Sequence, residues 1–243
     1  MALTVHQNLE EAMARHAAMI EELKRKLRAL HLPELYTFLF IAKTEQDILT
    51  ARTLADHGIA EKRVPVDVAV LCKQAVLAEQ DFAQAFHVPL QFALPHFGQQ
   101  DIAPLITPLF TIASEKFTGP FFTAPCEMKY LSIAIQKLLE LAILLGAKEK
   151  LPLVKLAVQR QGGYALCIAI TATVPPTVFE KQTDLFMMYY GALAGRTSLP
   201  FGSGLEGYLA KTILETLNIP MTITTEETQH RMTFELQLRK EKK

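Results

Sequence analysis

Bulk charge of either sign is absent from this chain: Lys and Arg together number 25 among 243 residues, and Asp and Glu also number 25. Such a balance excludes a general electrostatic pull towards nucleic acid or an anionic membrane. Cysteine is scarce too. Cys72, Cys126 and Cys167 lie far apart with no CxxC pair, which argues against a disulfide framework and a zinc site. Glu10, Glu11 and Arg15 interrupt the region where a signal peptide needs an unbroken apolar run. No later stretch reaches about 18 apolar residues without a charge or a proline pair. The expectation is a soluble protein of the reducing cytoplasm, with no membrane insertion and no nucleic-acid partner.

What is present is apolar residue in quantity, 50% of the chain, enough to bury a real core in one large or two small domains. Thr4 with Gln7 reads as a capping box. Beyond it Leu9, Met13, His16, Ile20, Leu23, Leu27 and Leu30 recur in alternating steps of four and three, a heptad seam on one helix. His31-Leu32-Pro33-Glu34 breaks the pattern, and Pro33 suits the first turn of a second helix. That helix presents Leu35, Phe38, Ala42, Ile48, Leu49 and Ala55, and Gly58 is its natural stop. Two such helices form an antiparallel hairpin with one apolar face, which is expected to pair with a second copy as a four-helix bundle.

Val66-Asp67 precedes a buried stripe of Val68, Leu71, Cys72, Ala75, Phe82 and Phe86, and Val88–Ala93 reads as a strand. Residues 94–125, rich in Pro and Phe, read as an insertion with some helix at Ile102–Glu115. A helix at Glu127–Leu145 follows, then strands at Val154–Gln159 and Tyr164–Ile170 joined by Gln161-Gly162-Gly163. Near the end, Phe201–Ile213 reads FGSGLEGYLAKTI. It sets two glycines at the entrance to an amphipathic helix carrying Leu205, Leu209, Ile213, Leu214 and Leu217, where free N–H groups can hold an anion. Strands at Met221–Thr225 and Met232–Leu238 close the chain.

The order Asp184–Tyr190, a gap ending in Gly195–Ser198, the GSGL run, a helix and a last strand resembles the ATP-binding domain of sensor histidine kinases. In that family the corresponding parts are a phenylalanine box, a flexible lid and a GxGLGL box. The resemblance implies an α+β fold: an N-terminal helical hairpin at 1–60, then a two-layer α/β sandwich of the histidine kinase ATPase type at 64–239. It also implies where ATP chemistry would sit. The asparagine box NxxxNA aligns with Lys137-Leu138-Leu139-Glu140-Leu141-Ala142, so its asparagines appear as Lys137 and Leu141. A leucine offers magnesium no oxygen, and Glu140, turned by about 100° from Leu141, is expected to point elsewhere. The DxGxG box aligns with Thr171–Pro176, where no acid is available for adenine. In the glycine box the second GL pair is Glu206-Gly207, and a carboxylate beside the phosphate seat would repel ATP.

The expectation is therefore a scaffold kept with its nucleotide chemistry lost: no cofactor, no metal, and Gly202, Ser203, Gly204 and Leu205 as the remnant of a phosphate loop. A non-catalytic dimer that binds a response-regulator receiver or a histidine kinase is the favoured reading. A phosphotransferase is the second, with His16, or else His31 or His57, as phosphoacceptor. His16 occupies a seam position between Met13 and Ile20, where a buried polar group can instead fix register. An ATP-dependent kinase with Thr171, Thr173, Ser203 and Glu140 as substitute ligands is the third. His96 reads as a loop residue, and the basic tail Arg239–Lys243 as a solvated end.

Overall fold

The structure, a computed structural model, describes residues 34–59, 63–93, 123–147, 149–161, 165–187 and 203–239. Several sequence expectations fall outside these residues: the first helix of the hairpin with His16 and His31, the four-helix bundle, most of the 94–125 insertion with His96, the 195–198 gap, Gly202 and the tail.

Helix α1 runs Glu34–His57. Gly58 ends it at φ +64°, its N–H donating to the Leu54 carbonyl at 3.1 Å, the left-handed stop that glycine allows most cheaply. Strand β1 (Val64–Asp67) leads into α2 (Val68–Ala78), and the Asp67 carboxylate accepts from the N–H groups of Ala69 and Val70. This cap matches the Val66-Asp67 reading. Helix α3 (Gln80–Ala85) follows at once and ends with His87 at φ 55°. Strand β2 is Leu90–Ala93, shorter than the expected 88–93.

Strand β3, Thr123–Cys126, was not expected; it pairs antiparallel with β1 in a two-stranded sheet. Pro125 hides it in the sequence, because proline removes a ladder donor and is tolerated only where a sheet is short or at an edge. Helix α4 (Met128–Gly146) is capped by Glu127, whose side chain accepts from the Tyr130 N–H.

The main sheet contains β2, β4 (Val154–Gln161), β5 (Ala165–Thr173), β6 (Met221–Glu226) and β7 (Arg231–Arg239), in the order β2-β4-β5-β7-β6. Only β2 and β4 are parallel. A 3-10 segment, Pro176–Phe186, leads away from β5, and α5 (Glu206–Thr216) leads into β6. Asn218 closes α5 at φ 56°, with the Ile219 N–H returning to the Leu214 carbonyl at 2.9 Å, a Schellman stop.

The core lies between α2, α4, α5 and the sheet. Leu131, Ile135, Leu138, Leu139, Ile143 and Leu145 of α4 are fully buried, as are Leu156, Ile168, Ile170 and Phe234 from the strands. A helix apolar nearly all round is one packed nearly all round, and α4 contacts α2, α5, β4 and β5. The stripe predicted for α5, Leu205, Leu209, Ile213, Leu214 and Leu217, is buried throughout. Phe186 meets Phe234 edge-on, ring centroids 6.1 Å apart.

Helix α1 departs from its predicted face. Leu49 is 63% exposed, whereas Thr44 and Asp47 are buried and Ala51 and Leu54 pack beside Leu205 and Leu209. The polar stripe of α1 faces the body, because charged partners from α4 and the 203–206 turn await it there.

Candidate functional site: a buried charge cluster

Lys137 and Glu140 are charged residues on the otherwise apolar face of α4, and both are buried. Three residues apart on a helix, they share a side. The Lys137 Nζ donates to Glu140 Oε2 at 2.7 Å and pairs with the Asp47 carboxylate of α1. A second ammonium, Lys43 of α1, donates to Glu140 Oε1 and to Glu79 Oε2, each at 2.7 Å. Its Nζ also lies 4.9 Å from the centre of the Phe82 ring, a cation–π contact. Glu79 joins α2 to α3 and is 2% exposed.

The fourth side of the cluster is the GSGL run. The Ser203 Oγ donates to Asp47 Oδ2 at 2.6 Å and accepts from the Leu205 N–H at 3.1 Å. The Glu206 carboxylate reaches back to accept from the Ser203 N–H at 2.6 Å. Ser203 and Glu206 thus close the turn that leads into the helix, whose N-cap is Leu205. The Ser203 and Leu205 N–H groups, which could otherwise face an anion, are taken by the protein's own side chains. Gly204 stands at φ +73°, so the turn needs a glycine there for its backbone. Gly207 is required by space: a methyl built on it would collide with the Leu185 carbonyl oxygen.

Burial dominates the electrostatics. It raises Glu206 to about 7, with the charges of Asp47 and Glu140 adding to the shift. It raises Glu79 to about 7, with Glu140 adding and Lys43 opposing. It raises Asp47 as well, against the pull of Lys137. Burial also works on Glu140, but Lys137 and Lys43 overturn it and hold that carboxyl below its ordinary value. Burial would discharge Lys137; Glu140 and Asp47 reverse this and raise it. Oxygens of Asp47, Glu140 and Glu206 lie within 4.8 Å of one another, and the cation paired with the first two is the Lys137 ammonium.

The expected substitutes for lost ATP ligands do not form one site. Ser203 and Glu140 belong to the cluster. The Thr173 hydroxyl accepts from the Leu153 N–H at 2.8 Å, and Thr171 is bonded to Thr233 at 3.0 Å. Leu141 is buried in the core. Glu140 does point elsewhere than Leu141, as expected, and shares its side of α4 with Lys137, one turn earlier. Lys43, Asp47 and Glu79 were missed altogether. The one available signal was a pair of charges, Lys43 and Asp47, four apart on a predicted helix, which reads equally well as a solvated face. A cleft of about 240 Å³ bordered by Arg63, Cys126, Leu217 and Gln237 includes none of the expected nucleotide residues.

No protein-family model matches the chain, and no curated protein matches it. Solved structures do match. The catalytic domain of the histidine kinase ThkA superposes with a TM-score of 0.51 at 9% identity, over 74% of this chain and 96% of that one. The Acinetobacter baumannii histidine kinase AdeS gives 0.58 at 10% identity, over 95% of this chain and 98% of that one. The fold is that of the histidine kinase catalytic domain. ThkA in complex with the response regulator protein TrrA gives 0.57 at 10% identity, over 99% of this chain and 61% of that one. The charge cluster lies where α4 meets α1, the α2–α3 junction and the Ser203–Glu206 turn. Among the described residues, no helix is long and apolar enough to cross a membrane.

Proposed function

We propose that this protein is a non-catalytic component of two-component signalling, built on a histidine kinase ATPase-type domain whose nucleotide seat is filled by its own side chains. The observation that carries the reading is the position of Lys137. Its ammonium lies between Asp47 and Glu140, on the helix that in the family would present asparagine to magnesium. A divalent ion brought there would meet a resident cation, and a triphosphate would meet the Glu206 carboxylate, which already holds the Ser203 N–H. Losing one charge-assisted hydrogen bond costs about 1.5–3 kcal/mol; several such losses remove most of a micromolar affinity.

With no nucleotide chemistry of its own, the protein acts by binding. The partner proposed is a response-regulator receiver or a histidine kinase, engaged by a homodimer held through the 1–60 hairpin. ThkA, of the same fold, is known in complex with a response regulator, and this supports a receiver as partner. A phosphorelay through His16 is the second reading. It rests on the hairpin order in the sequence, and it predicts labile phosphate on the chain after incubation with a phosphorylated receiver, lost in His16→Gln.

Calorimetric titration of the full chain with ATP and a non-hydrolysable analogue, with and without magnesium, tests the proposal. No heat is expected up to millimolar nucleotide. Micromolar, magnesium-dependent binding would overturn it and return the protein to the working kinases.

A further inference from the structure

The joint between α1 and the body holds four carboxyls, Asp47, Glu79, Glu140 and Glu206, against two ammoniums, Lys43 and Lys137. All four carboxyls are at most 5% exposed. Fully ionised, the described residues of the joint would bury two negative charges in excess of their cations, which costs far more than a docked helix returns. Among the described residues its apolar part is Ala51 and Leu54 of α1, which pack beside Leu205, Leu209 and Tyr208. Docking of α1 is thus governed by the charge state of the cluster.

We infer that α1 is fastened to the body by a proton-dependent lock, closed when two of the four carboxyls carry protons and opened as they are lost. The two that hold the protons are Glu79 and Glu206. Neither has a cation to itself among the described residues: Glu79 shares Lys43 with Glu140, and Glu206 binds the Ser203 N–H while Lys137 pairs with Asp47 and Glu140. Their acid strengths follow, both standing at about 7. The groups that meet at the joint are Lys43 and Asp47 from α1, Glu79 from the α2–α3 junction, Lys137 and Glu140 from α4, and Glu206 from the start of α5. Between pH 6 and 8 the surplus charge appears, and Asp47 and Lys43 are drawn out with their helix. Such a lock would couple the pose of the helical hairpin to its surroundings through a site with no nucleotide, and it stands whether or not the nucleotide reading does.

Hydrogen–deuterium exchange of the full chain tests this, corrected for intrinsic rates between pH 5.5 and 8.5. A helix freed from its partner is marginal in water, so release is read directly as lost protection in residues 43–57. From pH 5.5 to about 7 that protection is expected to fall, approaching one factor of ten per pH unit for each proton coupled, and to level off above about pH 7.5, where docked and released joints are both ionised. Amides of β5 and β7 should remain much slower throughout. Glu79→Gln with Glu206→Gln should flatten the profile, and either variant alone should reduce its slope.

Three results would overturn the lock. One is a flat profile in the parent chain; another is α1 and β5 exchanging at one common free energy, so that the helix leaves only by global unfolding. The third is millimolar magnesium restoring protection at pH 8.5, which would assign the surplus charge to a cation instead of protons.

Discussion

The body of the domain and its joint with α1 are both dry, but they are held together by opposite means. In the body, Leu131, Leu138, Ile168 and Phe234 belong to one cluster of buried apolar side chains, and any well-shaped hydrophobe at such a position contributes on its own. In the joint, Lys137, Glu140, Asp47 and Ser203 contribute only as a set, since each is costly without the others. The body therefore tolerates pH and salt, while the joint responds to both.

The comparison breaks most sharply at Gly207, where the two regions touch. Gly207→Ala drives a methyl into the Leu185 carbonyl oxygen, and backbone cannot yield as a flexible side chain can. The expected outcome is loss of the cooperative unfolding transition by circular dichroism, or a cost above about 4 kcal/mol if the chain folds. A variant within about 1 kcal/mol of the parent would show that the α5 entrance is loosely packed.

Next come two truncations of similar size and different kind. Phe234→Ala in the body and Lys137→Met in the joint should each cost about 3–5 kcal/mol in urea titrations. What separates them is rescue. Adding Asp47→Asn and Glu140→Gln to Lys137→Met should recover a large part of the loss, because the stranded charges are removed. No polar-to-neutral change should recover Phe234→Ala. If the triple variant is as unstable as the single, packing instead of charge holds the joint.

How much of this could be read from the chain differs between the same two regions. Period 3.6 placed α4 and α5, alternation placed β4 to β7, and Asp67 marked the start of α2, because these signals are local and repeat. The joint has no such signal. Ser203 and Asp47 are 156 residues apart, and Lys43 and Glu140 are 97 apart; only the fold brings them together. The GSGL resemblance drew attention to glycines and a phosphate, while Ser203 and Glu206, which close the turn on each other, lay in the same run. Likewise, Leu49 looked like a packing residue by period alone, and the buried charges of α1 turned the helix the other way.

A smaller effect is expected from pH. Glu79 and Glu206 titrate near 7 when folded against an ordinary value of 4.5. The folded chain thus binds more protons than the unfolded one between about pH 4.5 and 7. Stability should fall as pH rises through that window, on the order of 2 kcal/mol between pH 6 and 7 alone. Glu140 works in the other direction: its lowered value supports the fold above its unfolded pKa and is lost on strong acidification. Urea midpoints measured from pH 5 to 8 should therefore decline towards pH 7 and then level off, with a shallower decline in Glu206→Gln. A rising profile would mean that these carboxyls are ionised and well paired when folded.

The smallest effect, and the one that isolates the contact between the two regions, is expected at Ser203. Its hydroxyl donates to Asp47 and accepts from the Leu205 N–H, so Ser203→Ala leaves a buried carboxylate oxygen and a turn N–H each short of a partner. The loss should be about 1–2 kcal/mol, the range for hydrogen bonds of this kind. Neither the Glu206 link to the Ser203 backbone nor the apolar stripe of α5 depends on that hydroxyl, so the body should be unaffected. The loss should also shrink when Asp47 is already Asn, because the hydroxyl then serves a neutral acceptor. A double-mutant cycle between Ser203→Ala and Asp47→Asn measures this coupling. A coupling of zero would mean that the loop and α1 are held by Lys137 alone, and that the serine only closes its own turn.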